Sequence, residues 1–432
     1  MIGLLLVAGF VLLLVLGAPI LVALAVPAIV YTLLPATGTP ATMGAHVMTY
    51  SLDSFPLLAV PLFILVGALM NATGLTMRLF QVAQALVSHW RGGLCHVNVL
   101  ASLVFSGSSG AALADVAGLG KIEIEAMRKS GYTRGFACAL TLASATIGPM
   151  FPPSIPLVIF ATVAEASAVR LLLAGIVPAL LTAGALMLTV ALLARRRRFP
   201  VEAARPPGGE IAALVWHAVP ALLTPVILIA GMVSGVFTAT EAAAVTVVYI
   251  LLISALVYRV LTWSTLSVAT REAVRTSCVV MVMVAAASLF TRALALERVP
   301  QAAAGLLMSL SLDPLVLLLL VNLILLGAGM FLESISAIVL LAPIIVPPLV
   351  HAGVDPVHLG VVVVYNLMIG LLTPPLGMSL FVVSEVGRTP IEEVLRELGI
   401  FFVPLLGILV VLSLFPGLSL WVPSLVLGEA AR

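Results

Sequence analysis

Small polar side chains gather at four places in a sequence that is otherwise apolar. Hydroxyl and carbonyl oxygens suit a hard cation such as Na⁺, and N–H groups at a helix start suit a carboxylate. Such residues more often serve only the close packing of helices, but here they coincide with glycine runs and double prolines, which favours ion and acid binding. They are Asn98, Ser106, Ser108, Ser109, Ser144, Thr146 and Ser154 in the first half, and Asn322, Ser334, Ser336, Asn366, Thr373 and Ser379 in the second.

Two carboxylates lie close to the glycine runs. Asp115 follows Ser106-Gly107-Ser108-Ser109-Gly110, and Glu333 follows Gly327-Ala328-Gly329-Met330. An intramembrane carboxylate is costly, so each is a candidate for Na⁺ binding or proton transfer. Capping of a helix start is the simpler interpretation of Asp115, and both interpretations stay open for Glu333. Glu123 and Glu125 are expected to be solvated.

The double prolines belong to a repeated pattern. Ile147-Gly148-Pro149-Met150-Phe151-Pro152-Pro153-Ser154 has a counterpart in Ile369-Gly370-Leu371-Leu372-Thr373-Pro374-Pro375-Leu376, 222 residues later (370 − 148), and Gly107 has the same offset from Gly329. A proline pair removes two backbone donors and breaks a helix. Lipid tolerates such a break only where the freed backbone faces protein or water. Matching breaks in two halves indicate the binding site of a secondary transporter.

Enzymatic motifs are incomplete in this sequence. Gly118-Leu119-Gly120-Lys121-Ile122 is not a P-loop, because Asp115 and Ile122 replace the glycine and the hydroxyl residue that the motif requires. Gly107-Ser108-Ser109-Gly110-Ala111 lacks the last glycine of a GxSxG turn, which leaves an intramembrane serine hydrolase as a remote alternative. An ion gradient is therefore the expected source of energy.

Transition-metal and disulfide sites are not expected. Cys95, Cys138 and Cys278 are far apart in apolar sequence, which favours small buried side chains. His351 and His358 have no close third ligand. Na⁺ is the only metal ion that the sequence suggests.

Composition places the chain in a membrane. Of its 432 residues, 62% are hydrophobic and 9% are charged, whereas soluble chains carry about 25% charged residues. The net charge of +2 gives no indication of nucleic-acid binding. We therefore expect an all-α polytopic membrane protein whose basic residues mark its cytoplasmic side.

The basic residues predict how the chain crosses the bilayer. The four arginines at 195–198 mark the cytoplasm. The resulting topology has a cytoplasmic N-terminus and a periplasmic C-terminus. It comprises an ascending helix over 1–35, tilted or bent near Pro19, an outer loop over 36–54, a descending helix over 55–73, helices over 170–194, 240–258, 276–296 and 399–422, and Arg259, Arg271 and Arg275 in a cytoplasmic segment.

Two re-entrant helical hairpins and two broken helices complete the expected fold. The hairpins span about 93–120 and about 313–350, and the broken helices about 135–165 and about 356–386. The first break lies on a rising helix and the second on a falling one. Residues 1–205 and 239–432 are therefore expected to be inverted-topology repeats that face one mid-membrane site, joined by a linker and connecting helix over 206–238. Segments 76–92 and 298–311 are expected to lie in the membrane interface.

Several motifs resemble those of a known transporter family. They are similar to the large membrane (M) subunit of tripartite ATP-independent periplasmic (TRAP) transporters, and the similarity extends over essentially the whole chain. One departure is Glu333, where the family usually has Asp. The motifs are Ser106 to Glu123 with its Gly/Ser run, Ala126-Met127-Arg128-Lys129-Ser130-Gly131-Tyr132, Ala143-Ser144-Ala145-Thr146-Ile147-Gly148-Pro149, Pro152-Pro153-Ser154, Gly353-Val354-Asp355-Pro356-Val357-His358-Leu359-Gly360, and Gly370-Leu371-Leu372-Thr373-Pro374-Pro375-Leu376-Gly377.

The resemblance implies a Na⁺-coupled importer of organic acids in a bacterial inner membrane. It implies an elevator mechanism, in which a mobile domain with both hairpins and both broken helices slides against a scaffold. It also implies two partners, a periplasmic substrate-binding protein and a small four-helix membrane subunit. Because no such helices precede Met1, the small subunit is expected as a separate chain. C4-dicarboxylates, sugar acids, sialic acid and keto acids are candidate substrates.

The candidate site residues follow from the motifs and the resemblance together. Na⁺ is expected at each hairpin tip, held largely by backbone carbonyls, with candidate ligands Ser106, Gly107, Ser108, Thr146, Gly329, Met330, Glu333 and Thr373. The substrate carboxylate is expected between the tips, with candidate contacts Ser108, Ser109, Pro152, Pro153, Ser154, Asn366, Thr373, Pro374 and Pro375. The alternative function is a stand-alone Na⁺/dicarboxylate-type symporter that needs no binding protein.

Overall fold

The computed structural model describes most of the chain as helix. The described residues are 2–34, 38, 40, 42–109, 112, 116, 118–197, 199, 207–310, 313–374 and 377–428, with 105–109 described as backbone only. Within these ranges every regular element is a helix, as predicted. Six helices are long and apolar enough to cross a membrane, and Thr42–Leu52 with Pro56–Ala72, bent by 67°, would make a seventh.

The helices up to the linker are mostly shorter than a full membrane span. They are α1 (Ile2–Val15), α2 (Ile20–Leu33), α3 (Thr42–Leu52), α4 (Ala59–Ala72), α5 (Leu75–Val87), α6 (Gly93–Ser109), α7 (Leu119–Lys129), α8 (Arg134–Ser144), α9 (Ile155–Val163), α10 (Ala168–Ala174) and α11 (Ile176–Arg196). The last two together form one span, Ala168–Arg196.

The helices after the linker include the longest in the chain. They are α12 (Gly208–Val233), α13 (Ala239–Leu252), α14 (Trp263–Leu296), α15 (Val299–Leu310), α16 (Pro314–Gly329), α17 (Ser334–His351), α18 (Pro356–Gly370), α19 (Met378–Gly387), α20 (Ile391–Leu414) and α21 (Gly417–Leu427).

The helices α8 and α18 lie at the centre of the molecule. All residues of α8 from Gly135 to Ser144 and all residues of α18 from Val357 to Gly370 are buried. Each begins at a cap, since Thr133 Oγ1 accepts a bond from the Phe136 N–H and the Asp355 carboxylate accepts from the Val357 and His358 N–H groups. Each ends shortly before a double proline.

Around this centre, the helix that follows each break packs against the other half of the chain. Helix α8 packs against α6 and α18 packs against α16. The helix before each break therefore contacts the first arm of the hairpin of its own half. After the breaks the pairing crosses over, because α9 packs against α17 and α19 packs against α7. The second segment of each broken helix is therefore held by the other half.

The prediction of one ascending helix over 1–35 is wrong. Helices α1 and α2 fold back on each other, with Gly17 at a φ of 77° in the turn between them. Both open ends reach one carboxylate, since Glu297 accepts bonds from the Gly3 N–H at 3.1 Å and from the Tyr31 hydroxyl at 3.2 Å. Each arm of 14 residues is about 21 Å long, short of the roughly 30 Å core. The prediction of a cytoplasmic N-terminus depends on a single crossing over 1–35, and the structure has a hairpin there instead.

Three other expected boundaries also differ from the structure. The outer loop 36–54 contains helix α3, which packs against α14. Helix α14 begins at Trp263 rather than 276, with Thr262 as its cap, so Arg271 and Arg275 are helical. The final span over 399–422 is two helices, and Pro416 follows the end of α20 by two residues. Hydropathy does not detect the division of 399–422 because the segments on both sides of Pro416 are apolar, and it places the start of α14 too late because the first turns of this helix are polar.

Candidate functional site

The first break is an irregular stretch between α8 and α9 that is closed by local hydrogen bonds. The Pro152-Pro153 peptide is cis. Ser154 caps α9, because its hydroxyl oxygen accepts a bond from the Leu157 N–H at 3.2 Å, and the same hydroxyl donates to the Pro149 carbonyl. Thr146 is buried and donates to the Ala143 carbonyl at 2.7 Å. Both hydroxyls are thus tied to the backbone of the break.

The second break separates α18 from α19. Thr373 is half-buried and donates to the Ile369 carbonyl at 2.8 Å. Pro374 is exposed, and Pro375 lies outside the described residues. Ser379, in the first turn of α19, is buried, and its hydroxyl has no hydrogen-bond partner among the described residues. The second break therefore has an exposed proline and an unpaired buried hydroxyl, in contrast to the buried Ser154 of the first.

In each half, a buried asparagine on the first arm of the hairpin is hydrogen-bonded to the helix before the break. In the first half Asn98 on α6 accepts a bond from the Ser144 hydroxyl at 2.7 Å and donates to Thr141 at 2.8 Å. In the second half Asn322 on α16 accepts from Asn366 at 2.9 Å and donates to Ser413 at 2.9 Å. Ser144 and Asn366 are 222 residues apart (366 − 144), whereas Asn98 and Asn322 are 224 apart (322 − 98), so the two halves make similar contacts at positions that match only approximately.

Glu123 is the main correction to the predicted side chains. It was expected to be solvated, yet only 3% of its surface is exposed. Its carboxylate accepts a bond from Asn98 at 2.6 Å, which joins α7 to the α6–α8 contact. Sequence spacing gives no signal for this, because the two side chains are 25 positions apart and the predicted hairpin tip lies between them. Glu125 is exposed, as expected, and pairs with Arg128 at 2.6 Å.

Gly329 and Gly370 bring the second hairpin against the second break. A Cβ on Gly329 would lie 2.9 Å from the Gly370 Cα, and a Cβ on Gly370 would lie 2.7 Å from the Gly329 Cα. Only two glycines allow this approach of the backbones. In the repeated pattern, Gly107 corresponds to Gly329 and Gly148 corresponds to Gly370, each at the 222-residue offset.

Glu333 caps the second arm of the second hairpin. One carboxylate oxygen accepts from the Ile335 N–H at 2.9 Å and the other from the Ser334 hydroxyl at 2.8 Å. Met330 follows α16 directly and Ser336 contacts Met283. The capping role left open in the sequence is therefore present, and it places a negative charge at this helix start.

Helices α9 and α17 pack against each other, and each begins at a cap. Thr162 and Val163 border a cavity with Val339 and Pro343, and Ala164 borders another further along with Pro347 and other residues of α17. The order of these lining residues along the two helices is the order expected if α9 and α17 run in the same direction. A helix N-terminus carries N–H groups and partial positive charge, part of which the Ser154 hydroxyl and the Glu333 carboxylate already satisfy here.

Part of the predicted first hairpin lies outside the description. Asp115 is outside the described residues, and nothing can be assigned to the side chains of Ser106, Ser108 and Ser109. Within the described ranges no group of three or more His, Cys, Asp or Glu side chains is arranged to hold a metal ion. Na⁺ ligation by backbone carbonyls at the two tips stays a prediction.

A broken-helix core with crossed packing is the architecture of a polytopic helical membrane transporter. The solved structure of the YdaH transporter from Alcanivorax borkumensis has a similar fold, with a TM-score of 0.55 over 87% of this chain and 88% of that one. At 16% sequence identity the likeness concerns the fold alone.

Sequence comparison then gives the family. The model of the tripartite ATP-independent periplasmic transporter, DctM component, matches residues 7–418. The sialic acid TRAP transporter large permease protein SiaM of Vibrio cholerae is 44% identical over 92% of each chain. The C4-dicarboxylate TRAP transporter large permease protein DctM of Pseudomonas aeruginosa is 38% identical over 86% of this chain and 87% of that one. The chain belongs to this family of TRAP large membrane subunits, as the motifs predicted, and is a transport subunit rather than an enzyme.

Proposed function

We propose that the chain carries an organic acid across a bacterial inner membrane, driven by Na⁺. The observation that carries this proposal is the pair of capped helix starts, Ser154 and Glu333, on two helices that pack against each other beside the first break. N–H groups and helix dipoles at such a place attract a carboxylate. Relatives named for sialic acid and for C4-dicarboxylates fit a substrate of this class.

Sodium coupling follows from the charges at the same place. A substrate carboxylate close to Glu333 would be repelled by it, since like charges at about 4 Å cost roughly 4 kcal/mol near a protein surface. A cation between them removes that cost. Backbone carbonyls near the end of α16 and in the 371–374 turn are the ligands that we propose, together with Thr373. Substrate and Na⁺ would then bind as a unit.

We propose an elevator mechanism in which helices α6–α9 and α16–α19 belong to the mobile part. These helices share the crossed packing and the glycine and asparagine contacts, which would move together. Helices α1–α5 and α12–α14, with α14 as the longest, would form the scaffold, whereas α20 packs against α8 and is bonded to Asn322, so it would move with the core. The two halves would be inverted repeats, for which the matched Ser144 and Asn366 contacts give support.

Two further subunits belong to the proposal. A periplasmic binding protein would deliver the acid, and a small four-helix membrane subunit would extend the scaffold. Many apolar side chains on α1, α12 and α14 are exposed, among them Leu4, Trp216 and Val279, which leaves room for lipid or for such a subunit.

Reconstitution tests the proposal. The chain would be placed in proteoliposomes with a small membrane subunit and a periplasmic binding protein from the same organism, and offered labelled N-acetylneuraminate and succinate. We expect uptake of one acid that needs both an inward Na⁺ gradient and the binding protein. Equal uptake without the gradient would contradict Na⁺ coupling. Equal uptake without the binding protein would instead identify a stand-alone symporter.

A further inference from the structure

A cavity of about 370 Å³ lies between the proposed scaffold and the proposed mobile part. Its walls come from α3 and α14 on one side and from α9 and α17 on the other. The volume is within the range of small-molecule sites, about 300–1,000 Å³. The cavity is separate from the two breaks, because it borders α9 at 159–163 and α17 at Val339 and Pro343, beyond the first turn of each helix.

Arg292 is the one charged residue among the described residues that line this cavity. It is exposed and makes no ion pair with any described residue. Val284, Ser288, Arg292 and Ala295 fall on one face of α14, and all four line the cavity. Arg292 thus belongs to the cavity wall. A charge within an apolar segment is costly, which makes this arginine a candidate for a function.

The cavity lies toward the outer face of the membrane. Arg292 stands one turn before the end of α14, where Glu297 joins the open ends of α1 and α2. Residues 36–54, which follow α2, contain no Lys or Arg, which is typical of the outer side. Arg292 therefore departs from the positive-inside pattern, a signal already present in the sequence.

The rest of the lining is apolar with a few hydroxyls. Ser288 and Thr291 flank Arg292 on α14, Ser51 lies on α3 and Thr162 on α9. The Thr291 hydroxyl donates to the Val339 carbonyl at 3.3 Å and so bridges the two walls. One cation with a few hydroxyls in an apolar cavity matches a small acid with polar substituents.

We propose that this cavity is an entry site for the substrate, in which Arg292 binds the carboxylate before the acid reaches the breaks. The inference rests on the proposed function for the identity of the acid. A guanidinium can bind a carboxylate through two parallel hydrogen bonds, which fixes its orientation as well as its charge. One wall of the cavity is in the proposed mobile part and the other is in the proposed scaffold. Sliding of α17 past α14 would therefore change the shape of the cavity and release the acid inward.

The charge of the cavity can be measured without knowing the substrate. Ser288→Cys places a thiol in the cavity wall. Cys278, which is exposed, is replaced by serine in the same protein, and Cys95 and Cys138 are buried, so the reagents should react at position 288. The probes are anionic 2-sulfonatoethyl and cationic 2-(trimethylammonio)ethyl methanethiosulfonate, applied to the full chain with its small subunit in membranes. We expect Arg292→Gln to lower the anionic-to-cationic rate ratio at least about threefold. Arg298→Gln, an exposed arginine outside the lining, should leave the ratio unchanged.

Uptake kinetics then test the role of the cavity. With whichever of N-acetylneuraminate and succinate is taken up by the wild type, Arg292→Gln should raise KM about tenfold. Arg292→Lys should restore part of the loss, and Arg298→Gln should resemble the wild type. An unchanged rate ratio, or an unchanged KM with normal expression, would overturn the entry site while leaving the proposed function intact. Absence of Na⁺-dependent uptake in the wild type would refute the proposed function, and the rate ratio would still decide whether the cavity attracts anions.

Discussion

Asn98 and Asn322 occupy similar places in the two halves but serve different networks. Asn98 connects its broken helix to the buried Glu123, whereas Asn322 reaches Ser413 on α20. The first network contains a carboxylate that needs its donor, since a buried unpaired charge is strongly unfavourable. The second contains only neutral amides and a hydroxyl. The two halves share a geometry, and their side chains differ in charge.

Gly329 offers a residue-scale prediction with a matched control on the same helix. Gly329→Ala would bring a Cβ to 2.9 Å from the Gly370 Cα, so the hairpin must move away from the break. We expect a loss of about 1–3 kcal/mol in stability, as for other overpacked sites, and a large loss of uptake. Thermal unfolding in detergent and uptake in proteoliposomes would measure the two effects.

The control for this substitution is Gly327→Ala. Nothing lies within 4 Å of a Cβ at Gly327, and the site is also within α16. Alanine is favoured over glycine in a helix by up to about 1 kcal/mol, so this variant should be as stable as the wild type or more so. Equal behaviour of the two variants would show that the close approach to Gly370 has no importance.

Among the elements, the hairpin of α1 and α2 changes the expected topology most. Gly17 in a left-handed conformation and Pro19 at the start of α2 turn the chain, and Gly9 then packs against Pro27. Because the following segment lacks Lys and Arg, both ends of the hairpin should face outward. We therefore predict an outward-facing N-terminus, opposite to the side expected from a single crossing.

Cysteine labelling tests this arrangement. Ile2→Cys and Gly38→Cys, each in a Cys278→Ser background, should both react with a membrane-impermeant maleimide applied to intact spheroplasts. Arg195→Cys, at the cytoplasmic end of α11, should react only after permeabilisation. Labelling of Gly38→Cys but not Ile2→Cys in intact spheroplasts would restore the single crossing.

For the whole molecule, the contact between α14 and α17 is the boundary across which the proposed sliding occurs. Thr291 on α14 bonds to the Val339 carbonyl on α17. A short bifunctional methanethiosulfonate joining Thr291→Cys to Val339→Cys should therefore abolish uptake, and a reductant should restore it. Uptake assays with and without the cross-linker in a Cys278→Ser background would show this.

A cross-link within one rigid part is the matched control. Gly9→Cys and Pro27→Cys join α1 to α2, where a Cβ on Gly9 would lie 3.6 Å from the Pro27 ring. This cross-link should leave uptake unchanged, because both helices belong to the proposed scaffold. Full activity of the linked Thr291–Val339 pair would exclude the assignment of α14 and α17 to separate moving parts.

The sequence by itself determined the class, the family and the position of the breaks. Apolar composition requires helices in lipid, since every backbone donor must be satisfied within its own segment. Proline pairs interrupt such helices wherever they occur, so Pro152-Pro153 and Pro374-Pro375 were informative without coordinates. The motifs around them were enough to identify the TRAP family.

Tertiary structure alone decided which segments meet. Hydropathy is equal on both sides of the turn at Gly17, so it could not distinguish a span from a hairpin. The burial of Glu123 beside Asn98, the contact of Gly329 with Gly370 and the placement of Arg292 in a cavity all join residues distant in sequence. Local pattern describes how a segment folds, whereas such contacts depend on how the helices pack.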